Sequence, residues 1–139
     1  MGAYRAFKPD FIWYAIREIL PYIWVTFAVV IATLIISTLF GALLARAKIR
    51  RKWGKKLADG YTAIFRCIPM IVLIYLVYYG LPQLVQVLIG VDINAWNKGI
   101  FVVLAFSLGF SASISEIMRA AYESVDAVQH EAALSIGLT

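Results

Sequence analysis

Glu116 and Arg119 stand three residues apart at the edge of an apolar stretch, so a helix there puts both on one face. Ser107, Ser111 and Ser115 precede them at four-residue spacing. Ser111 and Ser115 share the side of Glu116 and Arg119. A carboxylate, a guanidinium and hydroxyls on one face are the groups that hydrogen-bond a zwitterionic solute. Two readings of the pair stand level: a mutual ion pair at a membrane edge, or a polar pathway, the default for ionisable groups near a membrane interior. Arg66 stands before another apolar run; it either snorkels to lipid headgroups or pairs with Glu116. Catalytic chemistry finds no support. There is one cysteine, Cys67, and one histidine, His130, which excludes a disulfide framework or a Cys/His metal site. No Gly-x-x-x-x-Gly-Lys-Ser/Thr loop cradles a nucleotide, and no nucleophile–base pair is present. The expectation is no catalytic residue, no metal and no cofactor. Cys67, at the start of an apolar run, is expected to be a small packed residue.

These side chains must be positioned by a scaffold with unusual composition. Of 139 residues, 63% are hydrophobic and 15% charged, against about 45–50% and about 25% in soluble domains. A chain this short cannot hide so much apolar surface in its own core. Membrane lipid must solvate much of it. The net charge of +5 does not indicate nucleic acid, because seven of the thirteen basic residues fall between Arg46 and Lys56. A basic block between apolar runs sets membrane orientation. The first residues mix Arg5, Lys8, Asp10, Arg17 and Glu18 with aromatics, unlike a cleavable signal peptide.

Three spans are expected, at about 20–45, 61–80 and 97–119, behind an interfacial tail at 1–18. The uncharged run from Ile19 to Ala45 is 27 residues, and about 20 suffice to cross a bilayer. Thr33, Ser37, Gly41 and Ala45 recur every four residues in it, as Ser107, Ser111 and Ser115 do in the third span. Such stripes let helix backbones approach closely. In the second span Pro69 suits a first turn, and Gly80 with Pro82 is expected to stop the helix near Tyr79, leaving 80–91 as a re-entrant or short helical segment. Tyr75, Tyr78 and Tyr79 suit an interfacial belt. The basic segment 46–59 is expected to be a cytoplasmic loop, which puts the N-terminus and the turn 91–98 outside and everything after Ser115 inside. Pro21 is expected to turn the chain from an interfacial helix beginning near Phe11 into the first span.

Beyond the third span charges and alanines mix. Asp126 and Gln129 have capping-box spacing. A helix over 127–136 should follow, ended at Gly137 by a left-handed residue. Ten residues make about 15 Å of helix, too short to span. A short capped helix of this kind can lie under the membrane and dock in a partner's groove.

Glu131-Ala132-Ala133-Leu-Ser-Ile-Gly137 resembles the first half of the EAA loop of ATP-binding-cassette importer permeases. Ser124 to Glu131 and Glu116-Ile-Met-Arg119 are similar to segments of the polar amino acid subfamily. So are Ile64-Phe65-Arg66-Cys67-Ile68-Pro69 and Tyr78-Tyr79-Gly80-Leu81-Pro82, with Cys67-Ile68 where Gly-Thr is usual. The resemblance implies an all-α polytopic membrane protein of the type I importer permease fold, with three of about five spans present and an Ile-x-Leu-Pro ending expected beyond Thr139. It implies a bacterial cytoplasmic membrane location. The implied partners are a pair of ATPase subunits, a second permease subunit and an extracytoplasmic solute-binding protein, with no role for nucleic acid. Glu131, Ala132, Ala133, Gly137, Asp126 and Gln129 would form the contact with the ATPase. Two other readings are a small helical scaffold or channel without an ATPase, and a permease for another solute such as an osmolyte.

Overall fold

The computed structural model describes residues 9–50, 52–125, 128–129 and 135–137. The described residues are mostly helical, with no strand among them, as the apolar runs predict. Helix α1 covers Pro9–Ile19 and α2 covers Ile23–Arg50, joined by a 3-10 turn at Leu20–Tyr22. Pro21 does not turn the chain away: the residues flanking this turn keep right-handed helical dihedrals. Proline in a first turn lacks only an N–H that had no partner there. Helix α3 covers Lys52–Cys67, α4 Met70–Tyr75, α5 Leu81–Ile89 and α6 Lys98–Glu123.

Other boundaries differ from expectation as well. The basic segment 46–59 is not a loop, because α2 continues to Arg50 and α3 begins at Lys52. Arginine and lysine are good helix formers, and no Gly or Pro interrupts before Gly54. The span expected at 61–80 is instead two helical stretches. The chain breaks at Ile68 and Pro69, where Pro69 has φ −56° and ψ 136° and caps α4. A residue before proline is disfavoured in the α region, and proline cannot donate into the helix behind it. The Pro69 carbonyl accepts from the N–H of Val72 (2.9 Å) and of Leu73 (3.1 Å), starting α4 afresh.

Gly80 and Pro82 do not stop that helix. A π turn at Leu76–Gly80 carries it into α5. Pro82 lies in the first turn of α5 with its ring fully buried. The wider i→i+5 pairing of a π turn accommodates the N–H that proline lacks. The helix ends at Gly90, whose φ of +76° is left-handed, a conformation open to glycine at no steric cost. The next turn is held by Asp92, whose carboxylate accepts from the Asn94 backbone N–H (2.8 Å) and side-chain amide (2.7 Å). These bonds hold the Asp92 carboxyl below its ordinary range, the backbone bond contributing most. Asn97 then caps α6 by accepting from Gly99 N–H at 2.8 Å.

Helices α2 and α6 make the most extensive contact, along the two predicted stripes. Thr33, Ser37, Gly41 and Ala45 are all buried on α2, and Ser107, Ser111 and Ser115 on α6. The approach is close enough that a Cβ on Gly41 would sit 2.8 Å from Ile114 Cγ2 and 3.1 Å from the Ser111 carbonyl oxygen. Without a hydrophobic force between helices in lipid, such contact is what holds them. The chain α3–α4–α5 runs back along α6: Thr62 lies near Ser115, Met70 near Gly109 and Tyr78 against Phe101. Leu73, Val77, Ile93, Phe101 and Ala105 close the end of the bundle that carries the turn at 91–98. Large apolar side chains elsewhere point outward, Leu39 and Leu43 among them. Three helical stretches are long and apolar enough to cross a membrane: Phe11–Arg50, Met70–Ile89 and Lys98–Glu123.

Candidate functional site: a charged junction of three helices

Where α2 and α3 meet α6 the small-residue seam gives way to charge. Lys48, one turn past Ala45 on the stripe of α2, points inward with a side chain 0% exposed. Its ammonium donates to Thr62 Oγ1 of α3 at 3.0 Å and to Ser115 Oγ of α6 at 3.4 Å. It forms an ion pair with Glu116 Oε1, and Asp59 Oδ1 lies 3.8 Å away. An ammonium has three protons and no acceptor. Desolvation makes an unpaired one costly, and here hydroxyls and carboxylates satisfy it.

Glu116 faces the other way as well. Its Oε2 accepts from Arg119 Nε (3.0 Å) and Nη2 (2.9 Å), and Arg119 also pairs with Glu123. The Glu116–Arg119 pair is therefore formed, and it is linked through Glu116 to a lysine on another helix. Lys55 pairs with Asp59 at 3.4 Å across one turn of α3.

Ser111 and Ser115 are fully buried in the seam. Each donates back to its own helix, Ser111 to the Leu108 carbonyl (2.9 Å) and Ser115 to the Ala112 carbonyl (2.8 Å). Ser111 Oγ also lies 2.9 Å from the Tyr61 hydroxyl, which donates to the Leu108 carbonyl at 2.8 Å. The two serines thus face α2 and α3 rather than a cavity. Arg66 is exposed and makes no ion pair among the described residues. It lines an open groove of about 520 Å³ between α3 and α6, together with Asp59, Thr62, Ala63, Cys67 and Glu116. Cys67 is exposed on that groove, not packed as expected; the break at Pro69 leaves the last turn of α3 uncovered. The groove carries two carboxylates and one guanidinium at its wall.

Of the residues expected to contact an ATPase, Asp126, Glu131, Ala132 and Ala133 lie outside the described residues. Gln129 is helical and exposed. Gly137 has φ +80°, the left-handed conformation its position in the sequence predicts. Among the described residues no group of His, Cys, Asp and Glu could hold a metal ion.

Sequence reasoning missed Lys48, and with it Asp59 and Thr62, which meet its ammonium. Lys48 is one of seven cations in a short block, and the orienting role of such blocks absorbs each member alike. Its signal was the buried face itself: Thr33, Ser37, Gly41 and Ala45 advance by four, and a step of three from Ala45 stays on that face and reaches position 48.

Residues 37–139 match the family described as binding-protein-dependent transport system inner membrane component. The chain is 35% identical over 118 residues to an arginine transport system permease protein (ArtQ) of Bacillus subtilis (strain 168), covering 82% of this chain and 49% of that one. It is 33% identical over 136 residues to the L-cystine transport system permease protein TcyL of the same organism, covering 97% and 56%. A glutamate/aspartate import permease protein (GltK) of Escherichia coli O6:H1 is 29% identical over 94% of this chain and 60% of its own. The chain thus spans about half the length of the curated relatives it matches. Among solved structures, the crystal structure of an amino acid ABC transporter with histidines superposes with a TM-score of 0.72 at 30% identity, over 91% of this chain and 57% of that chain.

Proposed function

Because the chain belongs to the family of binding-protein-dependent transport system inner membrane components, an integral membrane family, we propose that it is the permease part of an ATP-driven importer for polar amino acids. The observation that carries this reading is the likeness, in sequence and in backbone, to a solved amino acid transporter. In this reading the protein sits in the bacterial cytoplasmic membrane, with the Lys48 end of the bundle inside. It pairs with a second permease subunit, receives solute from an extracytoplasmic binding protein and is driven by two ATPase subunits.

The groove between α3 and α6 suits the inner part of the pathway. A zwitterion needs a cation for its carboxylate and acceptors for its ammonium; Arg66 supplies the first, and Glu116 and Asp59 supply the second. Ser111, Ser115 and Arg119 act behind that wall, holding Glu116 and the seam in place. The segment 126–137 is the handle on which the ATPase acts. Glu131 makes its polar contact, Ala132 and Ala133 allow close approach, Asp126 and Gln129 cap the helix, and Gly137 lets the chain leave it. Nucleotide closure can shift the spans only if it favours one of their arrangements over the other. The junction at Lys48 ties α2 and α3 to α6, so a push on the handle reaches three helices together.

The test uses the full-length protein assembled with its ATPase and binding protein. Glu131→Lys should lower amino acid uptake at least about tenfold while ATP hydrolysis and membrane insertion persist. Wild-type uptake in that variant would defeat the assignment of the handle.

A further inference from the structure

Helix α2 contains no acidic residue, yet its last turns carry Arg46, Lys48 and Arg50. Lys48 faces inward and takes its counter-charge from Glu116 and Asp59. The other carboxylates described at this end are engaged too, Asp59 also by Lys55, Glu116 also by Arg119 and Glu123 by Arg119. Arg46 and Arg50 are exposed and form no ion pair with any of them. Four residues apart, they lie on one face about 6 Å apart at their bases. Between them opens a groove of about 350 Å³, lined by Leu43, Arg46, Ala47 and Arg50.

What leads into this groove is apolar. Ile35, Leu39 and Leu43 follow each other at four-residue spacing, 56%, 64% and 65% exposed, and continue the line of Ala47. At 1.5 Å per residue, Ile35 to Leu43 makes a track of about 12 Å that ends at the two guanidinium groups. A free phosphate would need the guanidinium fork and not the track. A hydrocarbon chain would need the track and not the fork. One molecule uses both: a lipid with an anionic head.

We propose that Arg46 and Arg50 form a binding site for the phosphodiester headgroup of an anionic phospholipid, whose acyl chain lies along Leu43, Leu39 and Ile35. Guanidinium groups bind phosphate oxygens in a forked geometry that lysine does not reproduce. Basic residues next to a membrane surface contribute about fivefold each in affinity for anionic lipid. The lipid completes the charge balance of α2 and fixes the depth of its inner end.

The experiment follows lipid retained by the full-length transporter during delipidation, with phosphatidylglycerol and phosphatidylcholine supplied in equal amounts. Wild type should keep phosphatidylglycerol in preference. Arg46→Gln with Arg50→Gln should weaken that retention about 25-fold and leave phosphatidylcholine unaffected; both side chains are exposed, and an unchanged elution profile checks the fold. Lys55→Gln, which removes a cation on α3, should leave retention as in wild type. Arg46→Lys with Arg50→Lys keeps the charge and should still lose several-fold. Equal retention of phosphatidylglycerol in wild type and the double glutamine variant would overturn the site. So would an equal loss in Lys55→Gln, which would reduce the effect to general surface charge. Displacement of the lipid by millimolar glycerol phosphate would also overturn it, because the track would then contribute nothing.

Discussion

The ammonium of Lys48 and the carboxylate of Glu116 meet across the seam between α2 and α6, from helices that run in the same direction. Lys48 is wholly buried while Glu116 keeps 23% of its side chain exposed. The carboxylate is shared with Arg119, so the two partners do not depend on each other equally.

Unequal dependence predicts unequal costs. Breaking a buried ion pair from one side costs about 3–5 kcal/mol. Glu116→Gln leaves Lys48 buried with hydroxyls and the distant Asp59, and should destabilise the protein by about 3 kcal/mol. Lys48→Met leaves Glu116 to Arg119 and should cost less, with the double variant close to Lys48→Met alone, because the cation that Glu116→Gln strands is then gone. Unfolding of the full-length protein in detergent, read as a double-mutant cycle, measures this; additive losses would show that the two groups do not interact.

The two close-packed glycines should respond differently to a methyl group. At Gly41 the new Cβ meets Ile114 and the Ser111 backbone oxygen, which cannot withdraw; at Gly109 it meets the Cε of Met70 at 2.6 Å, the end of a flexible side chain. Gly41→Ala should therefore lose about 1–3 kcal/mol, in the range of core overpacking. Gly109→Ala should lose under about 1 kcal/mol. Comparable losses at both sites would show that Ile114 yields as readily as Met70.

Much of this architecture was legible beforehand. The stripe of Thr33, Ser37, Gly41 and Ala45 and that of Ser107, Ser111 and Ser115 named the faces that are buried, because only small residues permit that approach. Three-residue spacing put Glu116 and Arg119 on one face and offered their pairing as one of two level readings; the ion pair is present. Lys48 was hidden because charge type gives no hint of direction; only the partner helix, far away in sequence, decides which cation of a basic block turns inward. The break at Ile68–Pro69 and the passage through Gly80 and Pro82 were misread for a related reason. Proline and glycine mark where a helix is weak, and packing decides which weak point yields. Here Pro82 is enclosed, whereas Pro69 is exposed.

Cys67, on the wall of the groove and unpaired, is a reporter of topology. In sealed vesicles carrying the full-length transporter, a membrane-impermeant maleimide should modify Cys67 from the cytoplasmic side and not from the other. Saturating amino acid substrate on that side should slow the reaction. Modification from the external side alone would invert the proposed orientation.

At the opposite end, Asp92 should titrate below the ordinary aspartate value of 3.8. A depressed folded-state value means that the turn is stabilised above the unfolded value and loses that support as acid protonates the carboxylate. Carboxyl chemical shifts followed from neutral to acid pH would measure it. Asp92→Asn should remove the titration and loosen the turn; an unshifted midpoint would mean that the bonds from Asn94 are not kept in solution.

The six residues Met70–Tyr75 lie between two places where regular α pairing is already interrupted, Pro69 on one side and the π turn on the other. Flexing at either place breaks fewer α-helical hydrogen bonds than flexing in the middle of an unbroken helix. The middle crossing therefore works as a jointed rod beside two stiff ones, its short centre piece resting on Gly109. Tilt applied on the Cys67 side of Pro69 need not be transmitted to α5 beyond the π turn.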